Sequence, residues 1–215
     1  MNQYSQFTPE QMNEHLSFYL LDSWSYSKVA CFARNEKAFE KEYIYCERGQ
    51  RSASSIAGNA YHKALEFFFS KVRGGYEQPS IIELQQVAYA YIDEVPSYEL
   101  KLQKTTPTVE KVREKAVKDV TSGLQNFYSE MSVYMDDIAE ILGVEERIEE
   151  WLVINGVDVP LPCYSELDLI ARLKDGRVAI IDHKMKSAYS DEEDVALVHG
   201  KQAICYVLQY ESAHP

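Results

Sequence analysis

Residues 163–173 read CYSELDLIARL and residues 178–184 read VAIIDHK, and the tetrapeptide KDGR at 174–177 separates them. Two apolar runs that flank an Asp-Gly pair are typical of a β-hairpin. Each run carries an aspartate: Asp168 lies between two leucines, and Asp182 directly follows the second run. A charge among core side chains is costly unless something compensates it, so two carboxylates on adjacent strands suggest a divalent cation.

Lys184 adds a third charged group at the same end of the hairpin. Side chains alternate between the two faces of a strand, so Asp182 and Lys184 point to the same face. Asp168 can reach that face from the neighbouring strand. The pattern therefore predicts one site that contains Asp168, Asp182 and Lys184.

The overall composition is that of an ordinary globular protein. The chain has 215 residues, of which 46% are hydrophobic and 26% charged, and we expect a single domain over 1–215. The longest apolar runs are far shorter than the roughly 18 residues of a membrane span. The N-terminus lacks the basic and apolar regions of a secretory signal, so we expect a cytoplasmic location and no membrane contact.

The net charge restricts the possible partners, and the cysteine spacing restricts the possible metal sites and disulfides. The net charge is −12, which is unexpected for a protein that binds nucleic acid. The acidic excess falls in 76–215, so the nearly neutral first third is the better candidate for phosphate contacts. The four cysteines are widely spaced and form no Cys-x-x-Cys pair, which argues against a zinc ribbon and a disulfide scaffold.

Helical periodicity dominates the chain before the hairpin. An amphipathic helix is predicted within residues 1–23, and the aromatic-rich residues 24–45 predict a helix followed by strand or extended chain. A loop at 52–55 should cap a helix over 56–72 that carries His62 and, one turn later, Glu66. Glu66 is either a fourth acidic group near the cation or a solvated helix residue.

Further helices are predicted over about 81–95, opened by a capping box at Ser80 and Glu83, and over about 109–141. We interpret residues 76–141 as a helical elaboration of the domain. The period changes after Gly143, and a strand is predicted over 148–154. Four glutamates are expected to form a solvated helix end and strand start: Glu145, Glu146, Glu149 and Glu150. A last helix over about 195–211 carries Gln202 and Tyr206 on one face.

In chain order, four motifs resemble those of the RecB-like branch of the PD-(D/E)XK nuclease superfamily. They are Gly58-x-x-x-His62, Asp168, Asp182-His183-Lys184 and Gln202-x-x-x-Tyr206. That branch includes nuclease domains of helicase–nuclease recombination enzymes, CRISPR-associated adaptation nucleases and phage exonucleases. Each motif alone is weak, but the correct order over positions 24–206 is specific.

The resemblance implies an α/β fold with a restriction-endonuclease-like core, in which a small mixed sheet is flanked by helices. It also implies a final core strand after the helix of Tyr206, where the sequence has only a few residues. We therefore expect either a truncated form of a longer protein, or an edge beside the strand of Asp182 that another segment covers.

The resemblance also assigns roles to the motif residues. His62, Asp168 and Asp182 would be metal ligands, with the backbone carbonyl of His183 as another. Oxygen ligands with a single imidazole suit Mg²⁺ or Mn²⁺ better than zinc. Lys184 would position or activate the attacking water and neutralise charge on the scissile phosphate.

Three further residues have less definite roles. Gln202 and Tyr206 would orient DNA or support Lys184, and otherwise are ordinary helix residues. Lys186 is either a phosphate contact or plain surface. Relatives that hold an iron–sulfur cluster use a C-terminal cysteine trio that is missing here, so we expect no such cluster.

The implied function is a metal-dependent DNA nuclease, most readily an exonuclease in recombination, repair or phage DNA processing. DNA is the expected partner, together with a helicase or recombination protein. The alternative is a catalytically silent nuclease-like subunit that binds DNA or protein in a larger complex. Silent copies usually lose an essential residue, so intact Asp168, Asp182 and Lys184 favour the nuclease.

Overall fold

The computed structural model describes residues 8, 10, 11, 14, 21–47, 49–154, 156–185 and 192–214. The helix expected within residues 1–23 lies mostly outside these residues. The chain divides into two compact units. The first comprises residues 1–48, 147–166 and 190–215, and the second comprises residues 49–146 and 167–189. The single-domain interpretation stays a prediction.

Helices precede the strands along the described chain, and a last helix follows them. The α-helices are α1 (Tyr26–Arg34), α2 (Glu36–Phe39), α3 (Ala53–Arg73), α4 (Ile81–Glu94), α5 (Val109–Glu130), α6 (Ser132–Met135) and α7 (Glu192–Ala213). A π-helical turn (Glu40–Ile44) follows α2, and a 3₁₀ turn (Ser97–Glu99) follows α4. The strands are β1 (Ile138–Glu150), β2 (Val153–Ile154), β3 (Val157–Asp158), β4 (Cys163–Leu173) and β5 (Val178–Ile181).

The three long helices of the second unit begin at side-chain caps. The Ser52 hydroxyl accepts a hydrogen bond from the backbone N–H of Ser55, so α3 begins at Ala53, three residues earlier than expected. The capping box of Ser80 and Glu83 is present at the start of α4. At the start of α5 the Thr108 hydroxyl accepts a hydrogen bond from the backbone N–H of Lys111.

The core of the second unit forms where α3, α4 and α5 pack together. Phe68 and Phe69 of α3 are almost fully buried, and both contact Phe127 of α5 edge-on, with ring centroids 5.3 and 5.9 Å apart. Leu169 of β4 belongs to the same cluster. The strand that carries Asp168 is therefore fixed to the helical core by its own apolar neighbour.

Two predicted elements are wrong. The helix expected to reach residue 141 ends at Glu130, and β1 already begins at Ile138. Tyr134 and Ile138 still pack against the core after the helix ends, so the apolar stripe continues past its boundary. The extended segment expected near residues 39–45 is instead helical, in α2 and the π-helical turn.

The main sheet has the strand order β1-β4-β5. The predicted hairpin is confirmed: β4 and β5 are antiparallel, and their pairing runs from Arg172 with Val178 to Leu169 with Ile181. Gly176 has φ of 89° in the connecting turn, a conformation that favours glycine. Within the described chain β5 pairs only with β4, so its other edge carries no strand there.

In the first unit, α7 is tied to the start of β4 by a buried amide. Gln209 is fully buried, and its Nε2 donates a 2.7 Å hydrogen bond to the carbonyl of Cys163, while its Oε1 accepts one from the Ser165 hydroxyl. Trp24 forms an isolated parallel bridge with Cys163, which adds a parallel pairing to the antiparallel hairpin. No helix among the described residues is long and apolar enough to span a bilayer.

Candidate metal centre

One imidazole and two carboxylates converge in the second unit. His62 Nδ1 lies 3.5 Å from Asp168 Oδ1 and 3.9 Å from Glu145 Oε1. One ligand atom from each of the three residues lies within 4.8 Å of those of the other two, and all three side chains are half-buried. The structure thus brings together His62 and Asp168, as predicted, and adds Glu145.

Buried neighbours in the chain fix His62 and Asp168. Tyr61 precedes His62 on α3 and is buried in the helical core. Asp168 lies between Leu167 and Leu169, both with no exposed surface. The two side chains therefore project from rigid elements at the edge of the core, which holds them in place without a ligand.

Glu145 is a site residue that the sequence interpretation missed. It lies inside β1 with φ of 46°, the left-handed region that non-glycine residues seldom adopt. A left-handed residue inside a strand is typical of a β-bulge, which redirects a side chain. Because a bulge changes the alternation of the strand, no sequence pattern distinguishes Glu145 from the neighbouring glutamates.

The strain at Glu145 has a measurable consequence. A left-handed non-glycine residue costs about 1–2 kcal/mol, and glycine avoids this cost. We expect a Glu145→Gly protein to unfold with a free energy about 1 kcal/mol larger than that of Glu145→Ala. Urea denaturation of both variants without metal measures the difference. Equal stabilities would show that the backbone relaxes and that Glu145 stores no strain.

The charges of the cluster favour an ionised carboxylate. Burial by itself raises the pKa of Asp168, but the hydrogen bond with His62, the His62 charge and the backbone N–H of His183 hold that pKa below its ordinary value. The hydrogen bond with Asp168 raises the pKa of His62, against the opposing effects of burial and Lys184. Asp168 is therefore a carboxylate at neutral pH.

Asp182 and Lys184 directly follow β5. Continued by one residue, the hairpin register sets Asp182 opposite Asp168, and opposed residues of an antiparallel pair share a face. Lys184 Nζ lies 2.8 Å from Asp182 Oδ1. Asp182 does not belong to the three-residue cluster found among the described residues, so its role as a ligand stays a prediction.

His183 points into the core. Its ring stacks on Phe69 with centroids 5.3 Å apart and an interplanar angle of 21°, and its edge faces Phe127. Burial lowers the pKa of His183 to about 4, so the ring is neutral at neutral pH. Its backbone N–H donates a 2.7 Å hydrogen bond to Asp168 Oδ2. Coordination by its carbonyl stays a prediction.

The remaining candidates from the sequence are Gln202, Tyr206, Glu66 and Lys186. Gln202 and Tyr206 are on α7 in the first unit, where Gln202 Nε2 donates to the Tyr206 hydroxyl, and their predicted roles stay predictions. Glu66 pairs with Lys63 at 2.6 Å and is not part of the cluster with His62. Lys186 lies outside the described residues.

The donors of the cluster fit a hard divalent cation. Carboxylate oxygens are the preferred ligands of Mg²⁺ and Mn²⁺, and a single imidazole is compatible with Mn²⁺. No thiolate belongs to the cluster, whereas structural zinc sites are usually rich in cysteine. The proximity of Glu145 and Asp168 also supports a cation site, because two carboxylates near one another repel unless a positive charge lies between or beside them.

Comparison with known proteins identifies a family. The sequence model of the PD-(D/E)XK nuclease superfamily matches residues 23–215. No curated protein matches the chain at a significant level.

Proposed function

Because the chain belongs to the PD-(D/E)XK nuclease superfamily, we propose that it is a metal-dependent deoxyribonuclease of the RecB-like branch. Membership of this superfamily indicates a metal-dependent nuclease, a hydrolase of phosphodiester bonds, and suggests DNA as the substrate. The observation that carries the proposal of a metal-dependent deoxyribonuclease is the convergence of His62, Glu145 and Asp168. Lys184 is close enough for its charge to lower the pKa of His62.

The residues divide into two groups. His62, Glu145 and Asp168 would hold Mg²⁺ or Mn²⁺, with Asp182 and the carbonyl of His183 as further ligands. When bound, such a cation lowers the pKa of a water molecule and offsets the charge of the phosphate.

Lys184 would supply a second positive charge beside the divalent cation. Its ammonium group can donate hydrogen bonds to the attacking water and to a non-bridging phosphate oxygen, where negative charge increases in the transition state. Asp182 holds the ammonium in place at 2.8 Å. The ionised Asp168 is an acceptor only, so it can orient a water proton away from the reacting phosphorus.

The proposed cellular role rests on the resemblance to the RecB-like branch. We propose an exonuclease that acts in recombination, repair or phage DNA processing, in the cytoplasm and together with a helicase or recombination protein. Gln202, Tyr206 and Lys186 are proposed to contact DNA. No iron–sulfur cluster is needed in this proposal.

Digestion of DNA tests the proposal. We expect the purified protein to degrade linear DNA with Mg²⁺ or Mn²⁺ and to lose this activity completely in EDTA, because the carboxylates alone cannot bind an anionic phosphate. A covalently closed circle of the same sequence is the matched substrate, and an exonuclease leaves it intact. Absence of digestion with both metals on both substrates would instead support the silent DNA- or protein-binding subunit.

A further inference from the structure

Gly123 lies in the middle of α5, where Met185 approaches the helix backbone closely. A Cβ atom added at Gly123 would lie 3.0 Å from Met185 Sδ and 3.1 Å from Met185 Cγ, closer than ordinary van der Waals contact. The same Cβ would lie 3.5 Å from Tyr61 Cδ2, an ordinary contact distance. Among the described residues, Met185 comes nearest to the space that the missing side chain leaves.

Glycine is an unfavourable residue in a helix interior. The φ angle of Gly123 is not in the left-handed region, so backbone conformation does not require glycine there. The remaining physical reason for glycine at this position is space. Met185, which packs against the helical core as a half-buried residue, occupies that space.

The segment after β5 presents two faces. Asp182 and Lys184 pair with each other on one face. His183 is buried against Phe69, and Met185 packs against the core, on the other. The two inward side chains thus hold a segment that has no strand pairing of its own in the described chain beyond Ile181.

We propose that Met185 is a positioning residue, and that its contact with Gly123 fixes Lys184 relative to His62. The space beside Gly123 is bordered by Met185, the neighbour of Lys184, and by Tyr61, the neighbour of His62. Helix α5 thus supports both parts of the site, which gives the helical elaboration a role in catalysis. This inference rests on the proposed nuclease function.

Substitution of Gly123 tests the inference by displacing Met185. We expect Gly123→Ala to lower kcat about 3- to 10-fold and Gly123→Leu about 100-fold, because a misplacement of about 1 Å can cost 100-fold in rate. The KM for DNA and the affinity for Mn²⁺ should change less than kcat does, since three of the five proposed ligands, His62, Glu145 and Asp168, lie outside the displaced segment. The unfolding temperature of Gly123→Ala should change by only a few degrees, because the helix propensity of alanine offsets part of the cost of displacing Met185.

Ser122→Ala is the matched control, because it makes a similar change at the adjacent exposed position of α5. It should leave kcat unchanged. The methyl resonance of Met185 gives a readout that does not depend on activity: in protein labelled with ¹³C at the methionine methyl groups, this signal should shift in Gly123→Ala and not in Ser122→Ala. Met185→Leu identifies the signal by its loss.

A double-mutant cycle separates positioning from general damage. Met185→Ala removes the crowded atoms, so adding Gly123→Ala to it should cause no further loss of kcat. Additive losses, or wild-type kcat in both Gly123 variants, would overturn the inference. If Lys184→Ala is inactive while the Gly123 variants retain wild-type kcat, only the positioning role fails. If Lys184→Ala is fully active, the proposed function fails as well.

Discussion

An Asp168→Asn protein should fold as the wild type does and bind Mn²⁺ at least about 100-fold more weakly, since even loss of a group that merely supports a ligand costs 10- to 100-fold. Asp168 is the carboxylate through which the cluster is connected: it contacts His62 at 3.5 Å and accepts the backbone N–H of His183 at 2.7 Å. Asparagine keeps an acceptor oxygen for that N–H but removes the negative charge.

Isothermal titration measures the loss of Mn²⁺ affinity, and a DNA digestion assay measures the loss of cleavage that should accompany it. Asp175→Asn is the matched control: it makes the same change in the exposed turn of the hairpin, where the carboxylate pairs with Arg177. It should leave both metal affinity and cleavage unchanged. Wild-type Mn²⁺ affinity in Asp168→Asn would place the metal elsewhere in the chain.

Local chemistry explains why the hairpin could be predicted from sequence. The Asp-Gly turn and the two apolar runs determine strand register within about twenty residues of chain. Continued by one residue, that register sets Asp182 opposite Asp168 without any contribution from distant residues. The helix of His62 is equally local, since its cap at Ser52 and its apolar stripe lie within one segment.

Glu145 could not be predicted because its role depends on tertiary structure. Glu145 joins His62 and Asp168 from a strand distant in sequence, and its backbone has the left-handed φ of 46° that strand residues seldom adopt. The end of α5 was mispredicted for a related reason. Tyr134 and Ile138 remain in contact with the core beyond Glu130. Their apolar spacing therefore reflects burial in the core and not helical structure. Sequence periodicity cannot separate these two causes.

The second large effect is expected at Lys184. Lys184→Ala should lower kcat about 10²- to 10³-fold or more, the usual cost of removing one preorganised group that stabilises transition-state charge. Metal affinity should respond in the opposite direction. Lys184 pairs with Asp182 at 2.8 Å, and its positive charge opposes the rise in the pKa of His62, so it also repels a cation at the cluster.

Loss of turnover with equal or tighter Mn²⁺ binding is therefore the signature of Lys184. A general loss of structure would instead weaken both, so calorimetry and single-turnover cleavage on the same preparation distinguish the two explanations. Lys174→Ala removes an exposed lysine from the hairpin turn and serves as the control. A Lys184→Ala protein that cleaves DNA at the wild-type rate would show that the activity originates from other residues or from a contaminating nuclease.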